Sequence, residues 1–374
     1  MKIGLNLLYM LPGQVGGSET YATELINGYE KNAPEVDFVV FVNLEASHFP
    51  LPSNSRFTRV VCNVRATNRI KRYFYEQFVL PFLALRYHLD VLHSLGYVGP
   101  ILHFQRHLLS ILDANFIRLS WSMSPLKRWV YARVARLCAR TCTHITTISN
   151  FSKEELIECL PVTGEKITVV HLGAPSVTFS IKPEAVTSGA ARPYLLVLGG
   201  GSPHKNIRAF VQAFTQASAR IPHGLVIAGR LTEPLDDLPD ALALVRGGRI
   251  TITGFLSAND LDAAYRGADV FVFPTLYEGF GLPVLEAQIR GIPVLCSNVA
   301  SLPEIGGDSV AYFDPRSISN MAKTLEELLA EPTKVTELRE RGYKNVLRYS
   351  WENTCQKTLA LCGYRGTFGP TGKP

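Results

Sequence analysis

Two glutamates flank a turn whose residue types suit a ligand that carries both phosphate and hydroxyl groups. Glu278 and Glu286 lie on either side of a glycine-containing turn that follows the apolar run 270–273. The run is typical of a buried strand, and Pro283 after the turn is typical of the first turn of a helix. Backbone N–H groups at such a helix start bind phosphate, and ionised carboxylates accept hydrogen bonds from hydroxyl groups. The turn therefore predicts a site for a nucleotide sugar.

Two other glycine-containing loops follow apolar runs and are expected to point N–H donors towards a ligand. The first loop contains Gly16 and Gly17 and precedes a helix, and the second, at 199–206, follows the run 194–198. A strand, a glycine loop and a helix in this order occur in folds that bind phosphate. A glycine pair alone is explained equally well by a tight turn.

Two polar residues end apolar runs in the first half of the chain. His93 lies in the predicted strand 90–94, and Asp113 ends the predicted strand 109–113. In open α/β sheets, ligands bind at the carboxyl ends of the strands, so both residues are candidates for the ligand cleft. Each of them, taken alone, also fits a purely structural role.

Strand, loop and helix patterns alternate through both halves of the chain. This alternation predicts an α/β protein of two Rossmann-like domains, each with a parallel sheet covered on both faces, that face each other across a cleft. We place the first domain at residues 1–173 and the second at 194–348. The segment 174–193 is rich in Pro, Ser, Thr and Ala and is interpreted as a linker.

Composition and cysteine usage favour a packed protein of the cytoplasm. The chain has 374 residues, of which 47% are apolar and 19% charged, which suits two globular domains. Its seven cysteines are scattered without a CxxC pair, which argues against a disulfide framework or a zinc site. The apolar start is interrupted by Asn6 and is interpreted as a first strand, not as a signal peptide. No apolar run is long enough to predict a transmembrane helix.

Positive charge is concentrated in one part of the first domain. Between Arg56 and Arg140, fourteen Lys and Arg stand against three Asp and Glu, a net +11 that leaves −5 for the rest of a chain of +6. Within this part, residues 69–89 combine basic and aromatic side chains. The mix fits either an anionic membrane surface or an ordinary amphipathic helix, kinked at Pro81, with its aromatics in the core. We expect a membrane surface, and no nucleic acid, as the partner of this domain.

The run 277–287 resembles the signature of the retaining GT-B-fold glycosyltransferases typified by glycogen synthase and the bacterial mannosyltransferases, that is, glycosyltransferase family 4 and glycosyl transferases group 1. Seven residues separate its two glutamates, as in that family. The resemblance is strong from about residue 194 to about residue 316 and covers nearly the whole chain. Further matches follow the family's order at 202–206, 254–256, 268–270, 291–294 and 301–304.

This resemblance implies transfer of a sugar from a nucleotide donor, with retained anomeric configuration and without a bound metal or other cofactor. Lys205 matches the family's phosphate-binding lysine, Glu278 the carboxylate that holds the donor sugar, and Glu286 the carboxylate that binds ribose hydroxyl groups. A leaving diphosphate gains charge in the transition state, where Lys205 stabilises it most. The resemblance also implies that a last helix, at 349–364, crosses back to the first domain. The remaining implied donor contacts are Gly16, Gly17 and the backbone of Gly279, Phe280, Gly281 and Leu282.

Two departures from the family pattern affect the expected site. The family often has a His-Asp pair at the end of a first-domain strand, where this chain has Leu112 and Asp113, so Asp113 or His93 is expected to take that role. The family also often has an arginine shortly before its lysine, and here Arg230 is the candidate second cation. Catalytic roles therefore fall to Glu278, Lys205 and Asp113, with His93 as a candidate contact to the acceptor or the sugar.

The hypothesis that follows is a hexosyltransferase of surface polysaccharide synthesis, either O-antigen or exopolysaccharide. The expected donor is GDP-mannose, and the expected acceptor is a lipid-linked saccharide at the inner face of the membrane. Two alternatives remain open at this point. One is a nucleotide-sugar epimerase of the same fold. The other is a partner subunit that has lost its chemistry, which Leu112 suggests.

Overall fold

The computed structural model describes residues 1–118, 125–175, 193–231 and 233–366. The chain divides into two compact units. The first unit consists of Met1–Gly173 with Ser350–Pro374, and the second consists of Ala174–Tyr349. Most of the linker predicted at 174–193 lies outside the described residues.

Within the described residues, a parallel sheet of seven strands forms the centre of the first unit. The strands are β1 (Lys2–Leu7), β2 (Asp37–Val42), β3 (Phe57–Val61), β4 (Val91–Ser94), β5 (Arg106–Ser110), β6 (His144–Thr147) and β7 (Ile167–Val169). Their order across the sheet is β3-β2-β1-β4-β5-β6-β7. The central strands are buried along nearly their whole length because helices cover both faces of the sheet, as expected for parallel strands of mostly apolar residues.

Helix α1 of the first unit buries its apolar face, whereas α2 and α3 leave several large apolar side chains exposed. The helices are α1 (Gly17–Asn32), α2 (Arg69–Phe78), α3 (Leu80–Arg86), α4 (Asn115–Arg118), α5 (Pro125–Thr141) and α6 (Asn150–Cys159). In α1, Tyr21, Leu25 and Tyr29 recur at helical spacing and are buried against the sheet. The segment predicted as one helix kinked at Pro81 is instead two helices joined at Val79.

In the part of the second unit that the structure describes, a parallel sheet of six strands forms the centre. The strands are β8 (Tyr194–Leu198), β9 (Gly224–Ala228), β10 (Ile250–Gly254), β11 (Val270–Phe273), β12 (Val294–Ser297) and β13 (Ala311–Phe313). Their order is β10-β9-β8-β11-β12-β13, so β8 lies directly beside β11. The glycine loops that the sequence predicts after these two strands therefore leave the same edge of the sheet.

Among the described residues, seven helices cover the second sheet, and one more, near the end of the described chain, completes the first unit. Those of the second unit are α7 (Ile207–Ala217), α8 (Pro239–Arg246), α9 (Ala258–Arg266), α10 (Leu282–Ile289), α11 (Leu302–Gly306), α12 (Ile318–Ala330) and α13 (Pro332–Val346). The last helix, α14 (Trp351–Leu361), packs on α1, where Cys355 lies against Gly28. The Thr354 hydroxyl donates to the His171 carbonyl across 2.7 Å. Helix α14 is therefore part of the core of the first unit.

Candidate active site

Two loops meet at the carboxyl edge of the second sheet, one after β8 and the other after β11. The first contains a single turn of 3-10 helix at Pro203–Lys205. The backbone N–H of Leu276, in the second loop, donates to the His204 carbonyl across 2.7 Å. The Thr275 hydroxyl donates to the same carbonyl across 3.1 Å. These bonds fix the position of Lys205 relative to the glutamate turn.

Lys205 and Glu278 form an ion pair at this junction. Lys205 Nζ lies 3.1 Å from Glu278 Oε2 and 5.1 Å from the centroid of the Phe273 ring. The two side chains retain 24% and 20% of their exposure, so both charged groups are partly shielded but remain accessible. Two residues that are 73 positions apart in the sequence thus form one charged site.

The turn that carries Glu278 is held from behind by a serine. Ser301 Oγ lies 2.8 Å from the carbonyl oxygens of both Glu278 and Phe280, and its hydroxyl bonds to them. The Phe280 side chain is 3% exposed and packs edge-on against the Tyr349 ring at 5.7 Å. Only the backbone of Phe280 can therefore contact a ligand, and the backbone role of 279–282 stays a prediction.

Helix α10 begins directly after this turn. Gly281 precedes it with a φ of 106°, a conformation that favours glycine. An added Cβ at this position would lie 2.7 Å from a methyl group of Leu302. The half-buried Leu282 is the first residue of the helix, whose free N–H groups form an anion-binding end.

Glu286 lies one turn into α10 and accepts a hydrogen bond that the sequence does not predict. The Tyr265 hydroxyl donates to Glu286 Oε2 across 3.0 Å. Burial raises the pKa of the Glu286 carboxyl, while the Tyr265 bond and the charges of Arg290 and Lys205 act in the opposite direction. The same burial, together with the Glu286 charge, raises the pKa of Tyr265 well above its ordinary value, so Tyr265 remains a hydrogen-bond donor.

Arg290 and Asp262 hold Tyr265 in place. The Arg290 guanidinium lies 4.9 Å above the Tyr265 ring, and its Nε donates to Asp262 Oδ1 across 2.8 Å. Tyr265, Asp262 and Arg290 lie outside the motif that contains Glu286, and nothing in their sequence spacing indicates this contact. They form a supporting layer behind the predicted ribose carboxylate.

Arg230, the candidate second cation, approaches the site through its backbone. An added Cβ at Gly199, where the loop of Lys205 begins, would lie 2.9 Å from the Arg230 carbonyl oxygen. The Arg230 side chain is exposed. The structure thus places Arg230 beside the lysine loop and leaves its guanidinium accessible to an anion.

In the first unit, Gly16 and Gly17 form the start of α1. Gly16 is the N-cap residue and has a φ of 54°. A Cβ added at either glycine would meet no heavy atom within 4 Å, so the space in front of this helix end is open. The positive φ of Gly16, and not crowding, is thus the structural reason for a glycine there.

Asp113 lies three residues beyond the end of β5, in a short loop and not in the predicted strand. It is 8% exposed and accepts hydrogen bonds from the Asn115 backbone N–H across 3.0 Å and from the Asn115 amide across 2.7 Å. The Tyr97 hydroxyl donates to Asp113 Oδ1 across 3.3 Å. Leu112, in the place of the family's histidine, is 5% exposed. The local bonds of Asp113 organise the loop around it.

The expectation for His93 requires correction. His93 is fully buried in β4, and its Nε2 lies 2.8 Å from Ser110 Oγ within the sheet core. Burial lowers its pKa to about 3, so the imidazole is neutral. A side chain enclosed in this way cannot contact a sugar or an acceptor, because β4 is a central strand covered on both faces.

In the part of the chain that the structure describes, no helix has both the length and the apolar content needed to cross a bilayer.

Comparisons with known proteins give the relatives of this chain. The chain is 32% identical to the O-antigen chain mannosyltransferase B of Escherichia coli, over 58% of this chain and 59% of that protein. It is 30% identical to the serotype-specific mannosyltransferase WbdA of Escherichia coli, over 71% of this chain and 32% of that protein. The chain thus matches less than two thirds of the length of each of these relatives.

Solved structures and family models agree with the two-unit architecture. HepE of Anabaena, solved in complex with UDP and glucose, superposes with a TM-score of 0.72 at 14% identity, over 97% of this chain and 99% of that one. This likeness confirms the GT-B fold. Residues 15–175 match the model described as Glycosyltransferase Family 4, and residues 180–345 match Glycosyl transferases group 1. Since the two models match the two halves in turn, the chain belongs to the glycosyltransferases of family 4 and group 1.

Proposed function

We propose that this protein transfers a hexose from a nucleotide sugar to a saccharide acceptor with retention of anomeric configuration. The single observation that carries the proposal is the Lys205–Glu278 pair, 3.1 Å apart and next to the N-terminus of α10. The bond between the anomeric carbon and the diphosphate breaks, and a bond to an acceptor hydroxyl forms as that hydroxyl gives its proton to an oxygen of the departing diphosphate. The nucleoside diphosphate is the leaving group.

Lys205 and the helix end supply the positive charge that this leaving group needs. A developing diphosphate charge is stabilised by an ammonium group and by aligned N–H dipoles in a partly dehydrated site. Because these groups are already oriented, no solvent has to reorganise around the diphosphate when its charge develops. On this basis we propose that transfer proceeds without a metal ion or other cofactor.

The two carboxylates divide the donor between them. Glu278, already oriented by Lys205, accepts hydrogen bonds from hydroxyl groups of the donor sugar, and Glu286 accepts them from the ribose. Glu286 is suited to this because the Tyr265 bond orients one oxygen and leaves the other available. Both carboxylates bind hydroxyl groups best when they are ionised.

The names of the relatives support a narrower proposal for donor and acceptor. Two matched relatives from Escherichia coli are named as mannosyltransferases, and one name includes the O-antigen chain. We therefore propose GDP-mannose as the donor and a lipid-linked saccharide of surface polysaccharide synthesis as the acceptor. The protein would then act in the cytoplasm, at the inner face of the membrane.

A donor and acceptor panel tests the proposal. The purified chain is incubated with GDP-, UDP- and ADP-sugars and undecaprenyl-linked saccharides, and the linkage and anomeric configuration of the product are read by NMR. Lys205→Ala and Glu278→Ala should each lower kcat by about a hundredfold or more, since one charged partner of the transition state is lost. Lys323→Ala removes an exposed lysine paired with Glu327 in the same unit and serves as the matched control.

Two outcomes would overturn the assignment. Near-normal turnover in Lys205→Ala or Glu278→Ala would contradict the role of that residue. No transfer from any donor by a folded wild-type protein would instead favour a partner subunit without chemistry, which Leu112 suggests. In that case Leu112→His is the informative variant, because it restores the residue type that the family often has beside Asp113.

A further inference from the structure

Helix α2 of the first unit has its polar face inward and its apolar face outward. Glu76 is 2% exposed, whereas Ile70, Phe74 and Phe78 are 83%, 61% and 61% exposed. These three apolar residues recur every four positions and therefore lie on one side of the helix. Arg72 also faces inward, with Nε 4.0 Å from Glu76 Oε2. Globular proteins normally bury the apolar face of a helix, so this outward stripe requires an apolar partner.

The apolar stripe continues beyond α2. The rings of Phe74 and Phe78 lie 4.7 Å apart, and Phe82 of α3 is 59% exposed. The Phe82 ring lies 6.1 Å from Phe104, which is 51% exposed. Single exposed apolar residues need no explanation, but a contiguous row of large aromatic side chains marks an interaction surface.

A groove runs beside this stripe. It has a volume of about 570 Å³ and lies between α2 and the loops that follow β2 and β3. Its apolar lining includes Val64, Ile70 and Phe74, and its cations are Arg65 and Lys71. An apolar groove with two cations and no acidic side chain in its lining suits a ligand that joins a hydrocarbon chain to an anionic group.

The surroundings of the stripe are strongly basic. The exposed charged residues of α2, α3 and the segments next to them are Arg65, Arg69, Lys71, Arg86, Asp90 and Arg106. The one acid among them accepts a hydrogen bond from the backbone N–H of Lys2. Tyr73 of α2 stacks on Tyr131 of α5 at 5.9 Å, and the outer face of α5 adds further exposed arginines. The surface thus combines exposed aromatics with an excess of positive charge.

We propose that this surface binds a membrane that contains anionic phospholipid, with the stripe Ile70-Phe74-Phe78-Phe82 entering the hydrocarbon and the groove cations Arg65 and Lys71 binding lipid phosphate. A second copy of this chain fits the surface poorly, because a two-fold contact would bring the same cations together. An anionic bilayer satisfies both features at once. The inference rests on the proposed function in one respect: a lipid-linked acceptor would reach the enzyme at this surface.

Vesicle binding by the full-length protein tests the surface directly. Flotation is measured with phosphatidylcholine vesicles and with vesicles that also contain phosphatidylglycerol. We expect wild type to bind the anionic vesicles at least tenfold more tightly. The double variant Phe74→Ser/Phe78→Ser should lose at least tenfold in binding to them. Arg65→Glu/Lys71→Glu should lose a similar factor on anionic vesicles only, since each cation near the surface contributes about fivefold.

Matched control variants come from the second unit. Leu347 is 65% exposed and Lys334 is exposed, so Leu347→Ser and Lys334→Glu make equivalent changes elsewhere and should bind like wild type. The altered side chains are largely exposed, and thermal melting should confirm that each variant is folded. Equal binding of wild type to both vesicle types, or wild-type binding by the serine double variant, would overturn the proposal. Sedimentation that shows a dimer for wild type and a monomer for the serine double variant would also overturn the proposal.

Transfer assays separate this inference from the proposed function. With a short water-soluble acceptor, the stripe and groove variants should keep the wild-type rate while losing vesicle binding. A wild type that binds anionic vesicles but transfers to no acceptor would leave the lipid surface standing and refute the proposed activity. A wild type that transfers sugar but does not bind anionic vesicles would support the proposed activity and refute the lipid surface.

Discussion

Removal of the Tyr265 hydroxyl tests how Glu286 is kept ionised for donor binding. The phenol donates to Glu286 Oε2 across 3.0 Å. Burial raises the pKa of the Glu286 carboxyl, and the Tyr265 hydrogen bond and the charges of Arg290 and Lys205 lower it. Tyr265→Phe removes one of the lowering interactions, so the pKa of Glu286 should rise further.

The size of this change follows from the hydrogen bond. A hydrogen bond to a charged group contributes about 1.5–3 kcal/mol, of which the protonated acid retains a part. A difference of about 1.4 kcal/mol between the two protonation states is one pKa unit. Because the ionised carboxylate binds the ribose hydroxyl groups, donor affinity is lost as pH falls through this pKa. The acidic limb of the pH profile should therefore move up by about one unit in Tyr265→Phe.

The assay is kcat/KM for the nucleotide sugar from about pH 5 to about pH 9. Wild type and Tyr265→Phe should converge at the alkaline end, and Glu286→Gln should lack the limb altogether. Tyr312→Phe is the matched control, because that hydroxyl donates to the Gly307 carbonyl elsewhere in the same unit. A limb that stays in place in Tyr265→Phe, or that persists in Glu286→Gln, would refute donor binding by the Glu286 carboxylate.

Three further predictions concern stability and are read from urea unfolding. Burial lowers the pKa of His93 and of His107 to about 3, so as pH falls from about 6 towards about 4 each imidazole gains a proton only in the unfolded chain, and each should lower the free energy of unfolding by about 1.4 kcal/mol per pH unit. His93→Gln should make this fall shallower by about 1.4 kcal/mol per pH unit, and an unchanged slope would contradict a neutral buried His93. Gly281→Ala, at a φ of 106°, should lower the free energy of unfolding by about 1–3 kcal/mol and weaken donor binding. Gly28→Ala places a methyl group against Cys355 and should lower the free energy of unfolding by about 1–3 kcal/mol. Adding Cys355→Ala should restore part of this loss. An unchanged free energy of unfolding in Gly28→Ala would show that α1 and α14 separate easily.

The sequence predicts the second sheet well because its strands are short apolar runs bounded by glycine or polar residues. The apolar runs 194–198 and 270–273, predicted as strands, coincide with β8 and β11. The meeting of Lys205 with Glu278 depends on β8 lying beside β11, and this strand order is a property of the whole sheet. The motif spacing predicts the loop after β8 and the loop after β11, but it does not predict that the two loops contact each other.

The first unit shows where strand-end reasoning fails. His93 is the third of four residues in β4, so it points into the core and bonds to Ser110 instead of reaching the edge. Asp113 does lie at the edge, but beyond β5 and bonded to Asn115. The strand predicted at 90–94 ends where β4 ends, so the direction of the His93 side chain within the strand decides its burial, whereas the strand predicted at 109–113 ends three residues beyond β5.

Helix α2 shows the limit of pattern reasoning in another way. The aromatic spacing of residues 69–89 fits a core helix and a lipid-facing helix equally well, because both have one apolar side. What distinguishes them is the burial of Glu76 and Arg72 on the inner side, which the aromatic spacing does not give.

The placement of α14 has a consequence for how the chain is made. Cys355 Sγ lies near the Glu24 carbonyl, 331 positions away in sequence, so the first unit is built from both ends of the described chain. The second unit is one continuous segment and can fold while synthesis is still under way. The first unit cannot complete its core until α14 leaves the ribosome, and the side of α1 that binds α14 stays uncovered until then. Chaperone dependence during synthesis should therefore concentrate on that face, and deletion of α14 should yield aggregated protein although the second unit is intact.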